Sequence, residues 1–373
     1  MKKFLAMALA LLMVAVLLPV TAMAADRVAL NTITPAADGT YDANSAHVTY
    51  TYYTDKMCWP ANSTVAGGTT GGTLPWVKTV TITGVEFSEL SDSSSDMALL
   101  QSIIMNGRRT DTSDQFKDSI EVKFIDCSFN QTNFHLQVYK ICPRNVTKYT
   151  FQNCEFNQAA TGQFALTLNA SEGSDHRPIS YEITGCTINA AERGINITAG
   201  TTSGTEPEAI GTSLPTVNIS NNTITIANTS GVKNTAFQIA GDWTNANLTA
   251  AGNERIKISG NTITAYAAVR VHGSLTGESA KYVARFDNNT LKGNTKKAVA
   301  DGSDALTEAT VAIMEIYDEQ LTPRTITIII PSTEESKPAE DQKNPATGAN
   351  DFVGVAAALA VVSLLGMAVA SRK

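Results

Sequence analysis

Few side chains in this sequence have types and spacing suited to chemistry. The histidines are His47, His135, His176 and His272. His135 and His272 share outward parity with Gln137 and Arg270 on alternating segments, so the pair would meet on one strand face as general acid and base only if those segments stacked. The plainer reading is surface strand residues. "SDHRP" places Asp175, His176 and Arg177 side by side in a loop, but a triad is assembled by geometry rather than by adjacency. Asp301, Asp304 and Glu308 in "DGSDALTE" echo a calcium loop without its full ligand spacing. Cleaving a polysaccharide takes either two carboxylates facing across the sugar bond or a base beside a calcium-neutralised uronate, and no acid recurs on neighbouring segments to form such a cleft. Trp59, Trp76 and the run Tyr50-Thr51-Tyr52-Tyr53 offer rings that stack on sugars, a role that competes with ordinary core packing. "AGGTTGGT" lacks the Gly-Lys-Ser/Thr ending of a phosphate loop.

The five cysteines are Cys58, Cys127, Cys142, Cys154 and Cys186, an odd number that leaves at least one unpaired in a monomer. Cys127, Cys154 and Cys186 sit in a returning phrase: "FIDCSFN", "FQNCEFN" and "ITGCTIN", later "ISNNTIT" and "ISGNTIT". A thiolate metal site needs a tetrahedral set, and no CxxC accompanies these residues. A disulfide between neighbouring copies is the other alternative, against buried free thiols as the favoured reading. Cys58 and Cys142 lie outside the phrase and are free to pair with each other. No metal or cofactor is expected.

The elements that must position these residues follow from the phrase itself. Its template is apolar, any, apolar, any, turn residue, special residue, any, apolar, and seven copies run from Val80 to Leu291. Period-two spacing marks short strands with one face inward, and Gly, Asn or Asp at the fifth position suits a left-handed bend. A further alternating strand follows most copies, as in Leu136-Val138, Leu166-Leu168, Ile195-Ile197, Phe237-Ile239 and Val269-Val271. Such units cannot bury an apolar face alone and must stack. The sixth position reads Val85, Cys127, Cys154, Cys186, Asn222, Asn261, Asn289. It predicts one internal corner filled by a cysteine stack that becomes an asparagine ladder, each amide donating to the next copy and accepting from the last, with cysteine acting as a small buried hydrophobe.

This pattern resembles the right-handed parallel β-helix family, which includes pectate-lyase-like polysaccharide enzymes, phage tailspikes and bacterial surface proteins. The resemblance implies an all-β solenoid over 78–302, with an N-terminal cap region at 26–77 and capping strands at 303–331. Loops such as "TSGTEPEAIGTSLP" are expected to project from one side and to meet any ligand.

Both ends carry a different message. Residues 1–25 have two lysines, an apolar run and Ala22-Met23-Ala24, the layout of a secretory signal peptide. Residues 352–370 are uncharged and would span about 28 Å as a helix, close to the roughly 30 Å hydrocarbon layer. Arg372 and Lys373 would stay cytoplasmic by the positive-inside rule. Before this span lies Asn344-Pro345-Ala346-Thr347-Gly348. Pentapeptide, apolar helix and basic tail together (344–373) resemble the cell-wall sorting signal of Gram-positive surface proteins, with Asn344 where the best-known version has leucine. The resemblance implies sortase cleavage between Thr347 and Gly348 and transfer of Thr347 to peptidoglycan; a plain single-span membrane anchor is the alternative. The stretch 332–343, "STEESKPAEDQK", reads as a disordered spacer.

Losing Lys2, Lys3, Arg372, Lys373 and Asp351 takes the chain's 28 bases and 35 acids to 24 and 34, a balance of −10. That balance argues against nucleic acid as a partner. The sequence therefore predicts a secreted, wall-anchored surface protein on a β-helical rod, crossing the membrane before sorting. Sortase and peptidoglycan are its expected partners, with adhesion or glycan binding at a host or glycan surface and no catalysis. A wall-attached polysaccharide lyase or glycoside hydrolase is the alternative function, and a purely structural spacer a third.

Overall fold

The structure is a computed structural model. It describes residues 27–42, 46–60, 62–63, 72–88, 90, 94–108, 120–132, 136–137, 146–168, 179–198, 215–240, 255–271, 284–300, 314–317, 323–326 and 328–329. Residues 1–26 and 331–373 lie outside this set. So do the expected signal peptide, the spacer, the sorting residues Asn344, Pro345, Ala346, Thr347 and Gly348, and the span 352–370. Among the described residues no helix is long and apolar enough to cross a membrane.

The chain is all-β with mainly parallel sheets. Each template copy contributes first to one sheet and then, after a bend of one or two residues, to a second; from the second copy on, most go on to a third. The first sheet contains Leu74–Thr83, Ile120–Ile125, Val146–Gln152, Ser180–Thr184, Thr216–Ser220, Ile256–Ser259 and Ala284–Asp287 in spatial order. The second runs through Val85–Ser88, Ser128–Gln131, Glu155–Gln158, Thr187–Ala190, Thr223–Ile226, Thr262–Thr264 and Thr290–Leu291. The third holds Leu136–Gln137, Phe164–Leu168, Arg193–Thr198, Thr235–Ala240, Ala267–Val271 and Lys296–Ala300. Sequence order and spatial order coincide, an arrangement consistent with a β-helix-like solenoid.

Register is kept by side-chain parity, because a slip of one residue would turn every apolar side chain outward. Ile82 pairs with Phe124, Phe124 with Phe151, Phe151 with Ile183, Ile183 with Ile219, Ile219 with Ile258 and Ile258 with Phe286. All are buried. In the third sheet, Leu166 pairs with Leu136 and Ile195, Ile195 with Phe237, and Phe237 with Val269. Within the core Phe87, Phe129 and Phe156 stack at 4.7 and 4.9 Å between centroids, with Phe124 and Phe151 stacked alongside at 5.1 Å. Offset stacks of this kind add to the area that the rings bury.

The bends follow one backbone rule. Gly84, Asp126, Asn153, Gly185, Asn221, Gly260 and Asn288, the seven fifth positions, all have φ between 53° and 65°. The left-handed region is open to glycine and tolerable for Asn and Asp, whose short polar side chains bond locally.

Two features depart from the repeat. Helix Ser95–Met105 occupies the chain between the first copy's second strand and the next copy, and no third-sheet strand precedes Leu136 among the described residues. Ser94 caps it by accepting the Met97 amide at 3.1 Å, Asn106 ends it at φ 51°, and Met97, Leu100, Ile103, Ile104 and Met105 are buried in the core. The signal was present as a serine cap before apolar residues at helical spacing and a closing Asn-Gly. The second feature is that Val48–Cys58 pairs antiparallel with Leu74–Thr83, while Val28–Ala29 adds in parallel beside Val85–Ser88. Asn106 ties these pieces together. Its side-chain Oδ1 accepts the Tyr41 amide and its Nδ2 donates to Asp42 Oδ1 and Tyr52 Oη, each at 2.8 Å. Arg108 donates to Pro75 O at 2.6 Å and Asn106 O at 2.7 Å, with its guanidinium 4.8 Å from the Tyr52 ring.

At the C-terminal side Met314–Tyr317 and Pro323–Ile326 form an antiparallel pair, and Ile328–Ile329 adds in parallel to Ala284–Asp287.

Candidate functional site

The sixth positions form the internal column. Cys186 N donates to Asn222 Oδ1 at 2.7 Å, Asn222 N to Asn261 Oδ1 at 2.9 Å and Asn261 N to Asn289 Oδ1 at 2.9 Å. Each asparagine Nδ2 donates to a third-position carbonyl of the preceding copy: Asn222 to Ile183, Asn261 to Ile219 and Asn289 to Ile258, at 2.9 to 3.1 Å. Asn222 and Asn261 also each donate to the next asparagine's Oδ1 at 2.9 Å.

The cysteines occupy the same hydrogen-bond positions. Sγ–H of Cys127, Cys154 and Cys186 donates to Ile82, Phe124 and Phe151 O at 3.4, 3.3 and 3.5 Å, and Cys186 Sγ accepts the Cys154 amide at 3.3 Å. Sulfur therefore does more than fill space, serving as a weak donor and acceptor where the later copies use a carboxamide. Burial pushes the Cys127 and Cys154 thiols well above their ordinary range and that of Cys58 up to about 11. All four of these cysteines are free thiols. Cys58, Cys127 and Cys154 are therefore inert as nucleophiles at neutral pH. Cys142 lies outside the described residues.

The outer faces of the sheets differ. On the second sheet, register aligns Glu86, Ser128, Glu155, Thr187, Thr223, Thr262 and Thr290 in one row. Asn130, Asn157, Asn189, Thr225 and Thr264 form the next. Thr187, Thr223, Thr225 and Thr290 are exposed. Asn130 Nδ2 donates to Glu86 Oε1 at 2.9 Å, Asn157 Nδ2 to Asn130 Oδ1 at 2.9 Å and Asn189 Nδ2 to Asn157 Oδ1 at 3.0 Å, a second amide ladder on the surface. Hydrogen bonding from Asn157 and then Arg27 holds the Glu155 carboxyl below the usual range; Arg27 meets it at 2.9 Å and also donates to Asp126 O at 2.9 Å.

On the third sheet the outward row Thr167, Asn196, Gln238, Arg270 is largely buried, with Arg270 only 4% exposed. Arg270 donates to Gln238 Oε1 at 2.7 Å, and Gln238 Nε2 to Asn196 Oδ1 at 3.0 Å. The connections 169–179, 199–215, 241–255 and 272–283 all return from this sheet to the first. Most of their residues, including "TSGTEPEAIGTSLP", lie outside the described set.

Among the sequence candidates, His47 Nδ1 sits 3.1 Å from Thr83 O beside the first bend. His135, His176, His272, Asp175, Arg177, Asp301, Asp304 and Glu308 lie outside the described residues. Trp76 is buried and Trp59 half-buried, and Tyr50 donates its hydroxyl to Ile103 O at 2.7 Å. Among the described residues no group of three or more His, Cys, Asp or Glu is placed to hold a metal ion.

The fold class so defined is an all-β protein of in-register repeats in mainly parallel sheets, with one covered and one open polar face. No family model, curated protein or solved structure matches the chain.

Proposed function

We propose that this chain is a surface protein built on a right-handed parallel β-helix and held on the cell wall through residues 344–373, where it binds glycans or a host surface without catalysis. The observation that carries the reading is the outer face of the second sheet, where hydrogen-bonded asparagines and exposed threonines repeat at the strand spacing. Such a row of donors and acceptors matches the hydroxyls of a sugar polymer better than it matches an apolar ligand. The sealed thiols and the asparagine column supply rigidity, since each bend is tied to the copies on either side.

Sortase would act between Thr347 and Gly348, with peptidoglycan as the acceptor and the span 352–370 holding the chain in the membrane beforehand. Two experiments test the proposal. The full chain is applied to a glycan array and to a panel of polysaccharides; binding without shortening of the polymer is expected, and chain cleavage would replace the binding role by a lyase or hydrolase. Cells expressing Thr347→Ala are fractionated; loss of the protein from the wall-digest fraction is expected, and unchanged release would remove sortase from the account.

A further inference from the structure

The corner between the second and third sheets carries a charge opposite to that of the chain. Its connections are 159–163, 191–192, 227–234, 265–266 and 292–295, stacked copy on copy by the bonds Ala191 N to Gln158 O, Ala227 N to Ala190 O, Tyr266 N to Asn234 O and Lys296 N to Tyr266 O. With the first third-sheet residue of each copy included, this corner holds Arg193, Lys233, Lys292 and Lys296 against the single acid Glu192. The whole chain has a net charge of −7.

Two of these cations are held rather than loose. The Arg193 guanidinium lies 5.3 Å from the Phe164 ring, and Lys296 Nζ lies 4.1 Å above the Tyr266 ring and 2.5 Å from its hydroxyl. Between them lie Thr235 and Ala267, which are register partners, as are Ala267 and Lys296. Both small residues are buried. Three strand spacings, about 14 Å, therefore separate the Arg193 copy from the Lys296 copy. Lys233 and Lys292 are exposed along the same edge. Among the described residues Arg193, Lys233 and Lys292 enter no ion pair. Arg193 Nε is buried without a hydrogen-bond partner.

We infer that this corner is a binding edge for a linear acidic glycan laid along the stack, its carboxylate, sulfate or phosphodiester groups meeting Arg193, Lys233, Lys292 and Lys296 in turn. The inference rests on the glycan-binding reading above and assigns it a ligand class and an edge. Burial, and then the nearby charge of Arg270, pull the Arg193 pKa down. An incoming anion would relieve that unfavourable charge. A duplex nucleic acid fits less well, because its dense charge on two strands would face four cations on a strongly acidic molecule.

The test uses the full chain in mild detergent over surfaces coated with polygalacturonate, heparin, polyglycerol phosphate, duplex DNA or neutral dextran, at about 0.05 M and about 0.5 M salt, on either side of strong screening. Retention on at least one acidic glycan, lost at high salt and absent on dextran, is expected. The combined variant Lys233→Glu, Lys292→Glu, Lys296→Glu should weaken it about tenfold. Lys233→Glu alone, at an exposed position, gives a smaller loss in the same direction and guards against misfolding of the combined variant. Which polymer is retained identifies the anionic group. Equal binding by the single and combined variants, or equal retention of DNA, overturns the inference. Binding to dextran alone overturns it and leaves the broader glycan reading standing, whereas silence on every glycan removes both.

Discussion

The Cys186 amide donates to Asn222 Oδ1 at 2.7 Å across one strand spacing, at the place where the internal column changes from sulfur to carboxamide. The two halves of the column are continuous because thiol and amide make bonds in the same directions. Asn222→Ala would strand the Cys186 amide and the Ile183 carbonyl in a dry corner, where each unsatisfied group costs about 1–3 kcal/mol. Urea unfolding should show a loss of about 2–4 kcal/mol, with Asn222→Cys losing less than half as much.

Replacing a cysteine tests the same relation from the other side. Cys154→Asn keeps a donor toward Phe124 O and an acceptor beneath the Cys127 amide, whereas Cys154→Val keeps neither. The asparagine variant should unfold at higher urea than the valine variant, although valine is the more apolar residue. The reverse order would mean that sulfur acts there only as filling.

Thiol titration gives a further expectation. With Cys127 and Cys154 raised by burial and Cys58 near 11, none of these three should react with an aromatic disulfide reagent at about pH 8 while the chain is folded. All should appear on denaturation. Rapid reaction in the folded state would mean that the column opens.

Substitution at the bends should follow φ. Asn221 at 56° should accept glycine with little change, whereas valine should cost about 1–2 kcal/mol or more from the left-handed backbone alone. Gly185→Ala carries both that penalty and a new Cβ 2.5 Å from Asn153 Oδ1, a contact the amide can relieve only by rotating. Melting temperatures of the three variants check the order.

Glu155 sets a pH dependence. Its folded pKa lies below the unfolded value of about 4.3, so its contacts with Asn157 and Arg27 stabilise the fold above that value and are lost as pH falls through the folded one. Glu155→Gln should flatten stability against pH below about 5, measured by chemical denaturation at fixed salt. An unchanged slope would assign acid sensitivity to other carboxyls.

Much of this was legible residue by residue. Alternation of apolar side chains marks strands, and Gly, Asn or Asp marks the left-handed bend, because both depend on the local backbone. The helix Ser95–Met105 has its cap and spacing in the sequence, but it falls outside the repeated phrase that organises the rest of the chain.

From its sequence alone this protein has its strand period, the identity of the seven bend residues and the run from valine through cysteine to asparagine. These properties are local, fixed by sterics and hydrogen-bonding capacity within a few residues. Only the tertiary structure decided that the thiols donate to the preceding copy's carbonyls, that the third sheet's outer face is covered while the second's is open, and that scattered lysines gather on one corner. Those depend on which copies touch and in what register, and register is a collective result of burying every inward column at once.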